Sequence, residues 1–136
     1  MNATSHNAID RWHDMMARGT TEGLYDLLAP DCIFWSPVVH TAQRGRDITF
    51  FYLSAAGEVF NTNFHYVREL RDGNYAMLEF ECTLDDIHVN GIDLIQVTDN
   101  LISEFKVMVR PLKAVTKVHE RMMDMLEMMK SSSPGT

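Results

Sequence analysis

Between Tyr75 and Pro111 the chain alternates apolar and polar residues through three consecutive stretches, and no other feature constrains its fold as tightly. In the first stretch Ala76, Leu78, Phe80, Cys82 and Leu84 share one phase, and Met77, Glu79, Glu81 and Thr83 share the other. In the last, Phe105, Val107 and Val109 alternate with Glu104, Lys106, Met108 and Arg110. A period of two marks a strand with one buried and one wetter face. Turns are expected at Asp85-Asp86 and Thr98-Asp99-Asn100. The middle strand carries an anomaly. Ile87, Val89, Gly91, Asp93, Ile95 and Val97 share a phase, so a carboxylate stands in an apolar row. Ile92 and Leu94 make the opposite phase apolar too, so a bulge, or burial of that other face, also fits the pattern. If Asp93 faces inward, desolvation raises its pKa, and a neutral Asp can donate a hydrogen bond or act as an acid.

The flanking segments supply helices. Residues 5–18 suit a first helix, with Ser5 as N-cap and Ile9, Trp12 and Met15 or Met16 on one face; Gly19 stops it. Thr20 or Thr21 is expected to cap a short second helix carrying Leu24, Leu27 and Leu28, with Glu22 nearby and Pro30-Asp31 ending it. Residues 32–36 read as a short strand closed by Pro37, and 40–45 as a loop. Ile48, Phe51, Tyr52, Ala55 and Val59 give a third helix over 46–60. Residues 64–70 form a fourth candidate strand, leading into a turn at Arg71-Asp72-Gly73-Asn74. After Pro111, apolar residues recur every three or four positions from Leu112 to Met129, predicting a last helix over 112–130. The reading is a single domain over 1–130 and a disordered tail over 131–136. Helices followed by a meander of mostly antiparallel strands indicate an α+β fold. A curved sheet wrapped against the early helices would leave a conical cavity, the natural place for a ligand.

Charge and residue usage narrow the function. A net charge of −7 argues against a nucleic-acid or anionic-membrane partner, and no apolar run approaches a membrane span of ~20 residues. Cys32 and Cys82 lie in apolar strands without CxxC spacing, which reads as reduced core cysteines of a cytoplasmic protein. The six histidines include no HxxxH and no His-x-His pair, so no metal site is expected, and no cofactor is implied.

The element order resembles the NTF2-like superfamily. The likeness rests on the run Leu27-Leu28-Ala29-Pro30-Asp31-Cys32-Ile33-Phe34-Trp35-Ser36-Pro37, on Gly45-Arg46-Asp47, and on residues 97–105. Within that superfamily the chain is most similar to the SnoaL-like group of polyketide cyclases and ketosteroid-isomerase-like proteins, over roughly residues 5 to 115. The resemblance implies a cone-shaped fold and a homodimer formed through the outer sheet face, where Glu79, Glu81, Lys106, Met108 and Arg110 fall. A cross-strand pair of Arg110 with Glu79 or Glu81 is also expected there. The ketosteroid-isomerase site, a worked example of pKa tuning, combines a carboxylate base with an oxyanion hole of a Tyr and a protonated Asp. Position by position, the Tyr falls at Trp12, the base at Ser36 and the protonated Asp at Asp93. Ser36 is far too weak a base to abstract a carbon-bound proton unaided. The Arg–Asp pair of limonene-epoxide-hydrolase relatives is missing too, because Gly91 stands two residues before Asp93.

The expected site therefore has Asp93 as catalytic acid or hydrogen-bond donor. Trp12, Ser36, Tyr52, His65, Phe80, Cys82, Val107 and Val109 would line the substrate cavity. His13 is expected to pair with Asp10 or Asp14, or to lie near the cavity mouth, and His88 to be a surface residue near acids. The expected ligand is a small, apolar, oxygen-bearing molecule that an isomerase, cyclase or hydrolase would act on. The alternatives are a non-catalytic ligand-binding or assembly module, and a protein-partner adaptor with a filled-in cone.

Overall fold

Two-residue turns organise the sheet. Asp85 and Asp86 both take positive φ (49° and 69°), as do Asp99 and Asn100 (53° and 63°). Asp and Asn tolerate this left-handed backbone better than other non-glycine residues, and it is what a tight hairpin of right-twisted strands requires. These turns join β4 (Tyr75–Leu84), β5 (Ile87–Thr98) and β6 (Leu101–Arg110) into an antiparallel meander. β3 (His65–Asp72) adds to β4 across a turn at Gly73, whose φ is 61°. It runs two residues beyond the expected Leu70. On the other side β1 (Leu28–Trp35) pairs parallel with β6, and β2 (Gln43–Arg44) pairs with β1 inside the expected loop. The sheet is six-stranded, open, and ordered β2-β1-β6-β5-β4-β3. This computed structural model describes residues 3–132, with side chains from 7 to 130.

The helices cover one face of the sheet. α1 (Ala3–Arg18) lies against β5 and β6, α3 (Arg46–Val59) against β1, and α4 (Leu112–Ser132) against α3 and β4 to β6. Burial follows the expected phases. Ala76, Leu78, Phe80, Cys82 and Leu84 are all buried, as are Val89, Ile95, Val97, Phe105 and Val107. α4 buries Ala114, Val118 and Met122 and is tied to the β4–β5 turn by Arg121, which donates to both oxygens of Asp85 at 3.0 Å. Leu112, expected to face inward, is 80% exposed.

Several local expectations change. α1 begins at Ala3, ahead of Ser5, and α4 continues through Ser132; the remaining tail, 133–136, lies outside the described residues. α2 is only Leu24–Leu27, entered through Gly23 in a left-handed conformation, with no side-chain cap. The Thr20 hydroxyl instead accepts the Glu22 N–H at 3.0 Å, a local turn rather than a helix cap. Leu28, Pro30 and Asp31 belong to β1. Leu28 pairs with Ile102 and Ile33 with Glu104, so β1 spends more residues than β6 between these points. Pro30, which has no N–H for a ladder, sits within that irregularity.

Candidate functional site

Asp93 faces inward. Its register partners are Leu78 on β4 and Val107 on β6, both buried, and Asp93 itself is 6% exposed. Its one hydrogen-bond partner among the described residues is Tyr66, whose hydroxyl donates to Oδ2 at 2.7 Å. Trp12 Nε1–H donates in turn to the Tyr66 oxygen at 2.9 Å. A three-residue chain thus links helix α1, edge strand β3 and central strand β5.

The electrostatics follow from burial. Desolvation pushes the Asp93 carboxyl from 3.8 up to about 7, against the Tyr66 hydrogen bond, which stabilises the carboxylate. The Tyr66 phenol is held well above its ordinary value by burial first and by the neighbouring Asp93 charge next. Near neutral pH Asp93 therefore exchanges a proton readily while Tyr66 keeps its own. Such a carboxyl can serve as general acid, general base or hydrogen-bond donor.

A second polar group stands beside this chain. His13 Nε2 lies 2.7 Å from Glu69 Oε1, and the His13 ring meets Tyr66 edge-on, 5.4 Å between centroids. Arg71 donates to Glu69 and, at 3.0 Å, to Asp10. Burial raises the Glu69 carboxyl, but Arg71 and His13 outweigh it and hold the group below its usual range. A bulge at Val67 puts these residues there: Tyr66 pairs with Phe80, Arg68 with Glu79 and Glu69 with Leu78. The extra residue shifts the phase, so Tyr66, Glu69 and Arg71 all come to the inner face.

The other expected lining residues divide. Val107 borders Asp93, and half-buried Val109 borders Gly91. Phe80 is buried, stacks on Phe64 with centroids 5.1 Å apart, and lies over Gly91. The Cys82 thiol is pushed up to about 11, by burial and then by the Asp93 charge, and stays protonated. Tyr52 on α3 is half-buried and packs its ring on Phe34. Ser36 extends the β1 register one residue past Trp35, which is level with Lys106, so it comes level with Val107. Two strand spacings separate it from Asp93, roughly 10 Å. Its Oγ accepts the Val38 N–H at 3.1 Å.

His65 is a correction. It is exposed on the opposite face, where Nε2 lies 3.8 Å from Glu81 and Nδ1 meets the Asn63 carbonyl. Tyr66 takes the inward phase instead. His88 is exposed, 3.5 Å from Glu81, and His13 pairs with Glu69 rather than with Asp10 or Asp14. Glu79 pairs with Arg68, not Arg110.

Two depressions of the described surface lie away from Asp93. One of about 490 Å³ lies between Tyr25, Pro30 and residues 44–48, and one of about 420 Å³ runs along α1 and α2. Aromatic rings crowd the inner face instead: Trp12 on Phe105 at 5.0 Å, and Phe64 on Tyr66 at 5.1 Å.

Comparison with known proteins agrees with this architecture. The chain is similar along nearly its whole length to a steroid delta-isomerase from Pseudomonas aeruginosa. The two are 32% identical, with a TM-score of 0.93 over 97% of this chain and 98% of that one. An uncharacterized protein with a cystatin-like fold from Silicibacter pomeroyi DSS-3 is 31% identical, with a TM-score of 0.82 over 90% and 87% of the two chains. An NTF2-like protein of unknown function from Mesorhizobium loti, 21% identical over 79% of this chain and 92% of that one, shares the fold at a TM-score of 0.71. No curated protein matches the sequence at a significant level. The family model of the SnoaL-like domain matches residues 9–105, and the chain belongs to that family, with an NTF2-like fold.

Proposed function

We propose that the protein is a small-molecule enzyme of the isomerase or cyclase type, acting by proton transfer on an apolar, oxygen-bearing substrate, with Asp93 as its acid. The observation that carries this reading is a carboxyl 6% exposed, hydrogen-bonded only by Tyr66 among the described residues, and titrating near neutrality. The likeness to a steroid delta-isomerase at 32% identity supports a ketone-bearing substrate. Trp12, Phe80, Cys82, Val107 and Val109 form the wall, and Ser36 and Tyr52 stand further along it. A ligand reaches Asp93 by displacing the half-buried Phe64 and Tyr66 at the β3 edge. The working form is a homodimer joined through the outer sheet face. Cys32 and Cys82 are free and buried, which suits the reducing cytoplasm, and no described helix is long and apolar enough to cross a membrane.

A second reading, a ligand-binding module without turnover, is favoured by Ser36, a hydroxyl occupying the position that the resemblance gives to the base. Thermal melts of wild type and Asp93→Asn with apolar ketones, lactones, epoxides and steroids, followed by turnover assays, separate the two. The enzyme reading expects a ligand class that stabilises wild type more than the variant and is converted only by wild type. Stabilisation of both proteins without conversion by either supports the binding module.

A further inference from the structure

Strand β3 is held unevenly. It is an edge strand, and unlike β4, β5 and β6 it buries none of its residues fully. Beyond the bulge at Val67, side-chain bridges tie it down: Arg68 to Glu79 at 3.2 Å, Glu69 to His13 at 2.7 Å and Arg71 to Asp10 at 3.0 Å. Ahead of the bulge the ties are looser. The chain enters through Asn63, a non-glycine residue at φ 55°. His65 Nε2 stands 3.8 Å from Glu81, past hydrogen-bond reach, and its Nδ1 turns back to the Asn63 carbonyl within the same segment. Besides the pairing of His65 and Tyr66 with β4, residues 63–66 are held by the Phe64 ring stacked on Phe80 and by the Tyr66 hydroxyl between Asp93 and Trp12. A short segment between a left-handed residue and a bulge, with little buried surface, is where a fold opens locally.

We propose that residues 63–66 form a flap, hinged at Val67, that lies closed over protonated Asp93 and swings open when Asp93 ionises. The proposal rests on the route to Asp93 at the β3 edge given above and adds what opens it; it holds whether the ligand is converted or only bound. The driving force is the hydration of one carboxylate. An ionised carboxyl has lone pairs for about four donors, and the closed flap offers Asp93 only the Tyr66 hydroxyl among the described residues. Opening admits water to the rest. The other groups around Asp93 leave this sign unchanged. The Cys82 thiol on β4 and the Tyr66 phenol keep their protons, and Val107 on β6 and Trp12 on α1 bring no titrating group. Glu69, past the bulge, and His13 on α1 stay in place beside the Tyr66 ring. The closed carboxyl titrates at about 7 and a hydrated one at 3.8, so protons favour the closed form, and raising pH between these values favours the open one.

Cys82 is a native reporter of this motion. One step back along the register from His65 and Glu81, Phe64 comes level with Cys82, so the flap covers a thiol that is buried when it is closed. Cys32, equally buried, lies on β1 against the Gly45 carbonyl, away from the flap. The test is labelling of the full chain with methyl methanethiosulfonate, without substrate. Peptide masses give the rate at each cysteine, which is divided by the rate of free cysteine at the same pH. Unfolding exposes both thiols and the flap exposes one, so Cys82 is expected to react at least about tenfold faster than Cys32. From pH 5.5 to 7.5 its corrected rate is expected to rise roughly 10–30-fold in wild type and to stay within about twofold in Asp93→Asn. A Cys82 rate within about twofold of Cys32 overturns the flap. A rise that survives in Asp93→Asn overturns the role of Asp93 and transfers the pH response to His65 on the flap or His13 beside it. Should Asp93→Asn fail to fold, Tyr66→Phe serves instead: losing the donor moves the midpoint of the rise to higher pH, and an unmoved midpoint overturns the proposal. Turnover enters none of these outcomes, so the enzyme reading stands or falls separately.

Discussion

Asp93 couples the chemistry to stability. Its carboxyl is pushed from 3.8 up to about 7, so between these pH values the folded chain holds a proton that the unfolded chain has lost. Stability from this group is complete below the unfolded value and falls as pH rises to about 7; the difference amounts to about 4 kcal/mol. Asp93→Asn removes that slope. Urea unfolding at pH 4 and pH 8 should therefore show wild type losing stability relative to the variant, and parallel curves would refute the buried, protonated Asp. Tyr66→Phe tests the chain differently. The hydrogen bond it removes stabilises the carboxylate, so the Asp93 titration should move further up, and any activity limb that it sets should move to higher pH with it. The Trp12 N–H also loses its acceptor, at a cost of about 1–3 kcal/mol. Asp93 was visible in the sequence as an acid in an apolar phase. Tyr66 was not: its inner-face companions Glu69 and Arg71 follow three and five residues later, an interval set by the Val67 bulge and by no period-two pattern.

At the scale of elements, the meander was legible because alternation and turn chemistry agree from Tyr75 to Pro111. The second helix was not, because Leu24, Leu27 and Leu28 have helical spacing while Leu28 is buried as the first residue of a strand. Burial looks the same from either geometry. Gly91 shows how closely the strands are fitted. A Cβ there would come within 2.5 Å of the Phe80 ring and 2.6 Å of the Met108 carbonyl oxygen. The backbone oxygen cannot swing away as a side chain can, so Gly91→Ala is expected to destabilise by roughly 1–3 kcal/mol, read as a lower urea midpoint. The same packing explains why an Arg two residues before Asp93, the other chemistry considered for this strand, has no room here. An unchanged midpoint for Gly91→Ala would mean that Phe80 and the β6 backbone can yield.

At the scale of the whole molecule, the described helices pack against the sheet where its inner-phase residues are buried, while most described outer-phase residues, on the other face, stay half-buried or exposed. On that face Ile92 pairs with Met108 and Leu94 with Lys106, while Lys106 lies over the Trp35 ring at 4.9 Å. Met108 is 47% exposed, Leu70 59% and Tyr75 46%, a spread of apolar surface over three strands that a monomer leaves wet. A twofold dimer would set each patch against its copy, as isologous interfaces require. Charges buried at such a centre lack partners, so Met108→Asp is expected to shift the mass in solution from about twice 15.6 kDa to a single chain, without loss of secondary structure. Light scattering after size exclusion reads the mass directly, and circular dichroism checks the fold. The inner site faces away from this surface, so the monomeric variant should keep the pH-dependent stability difference ascribed to Asp93. A wild-type chain that runs as a monomer would assign the outer face to solvent, and a variant that stays dimeric would move the interface off Met108.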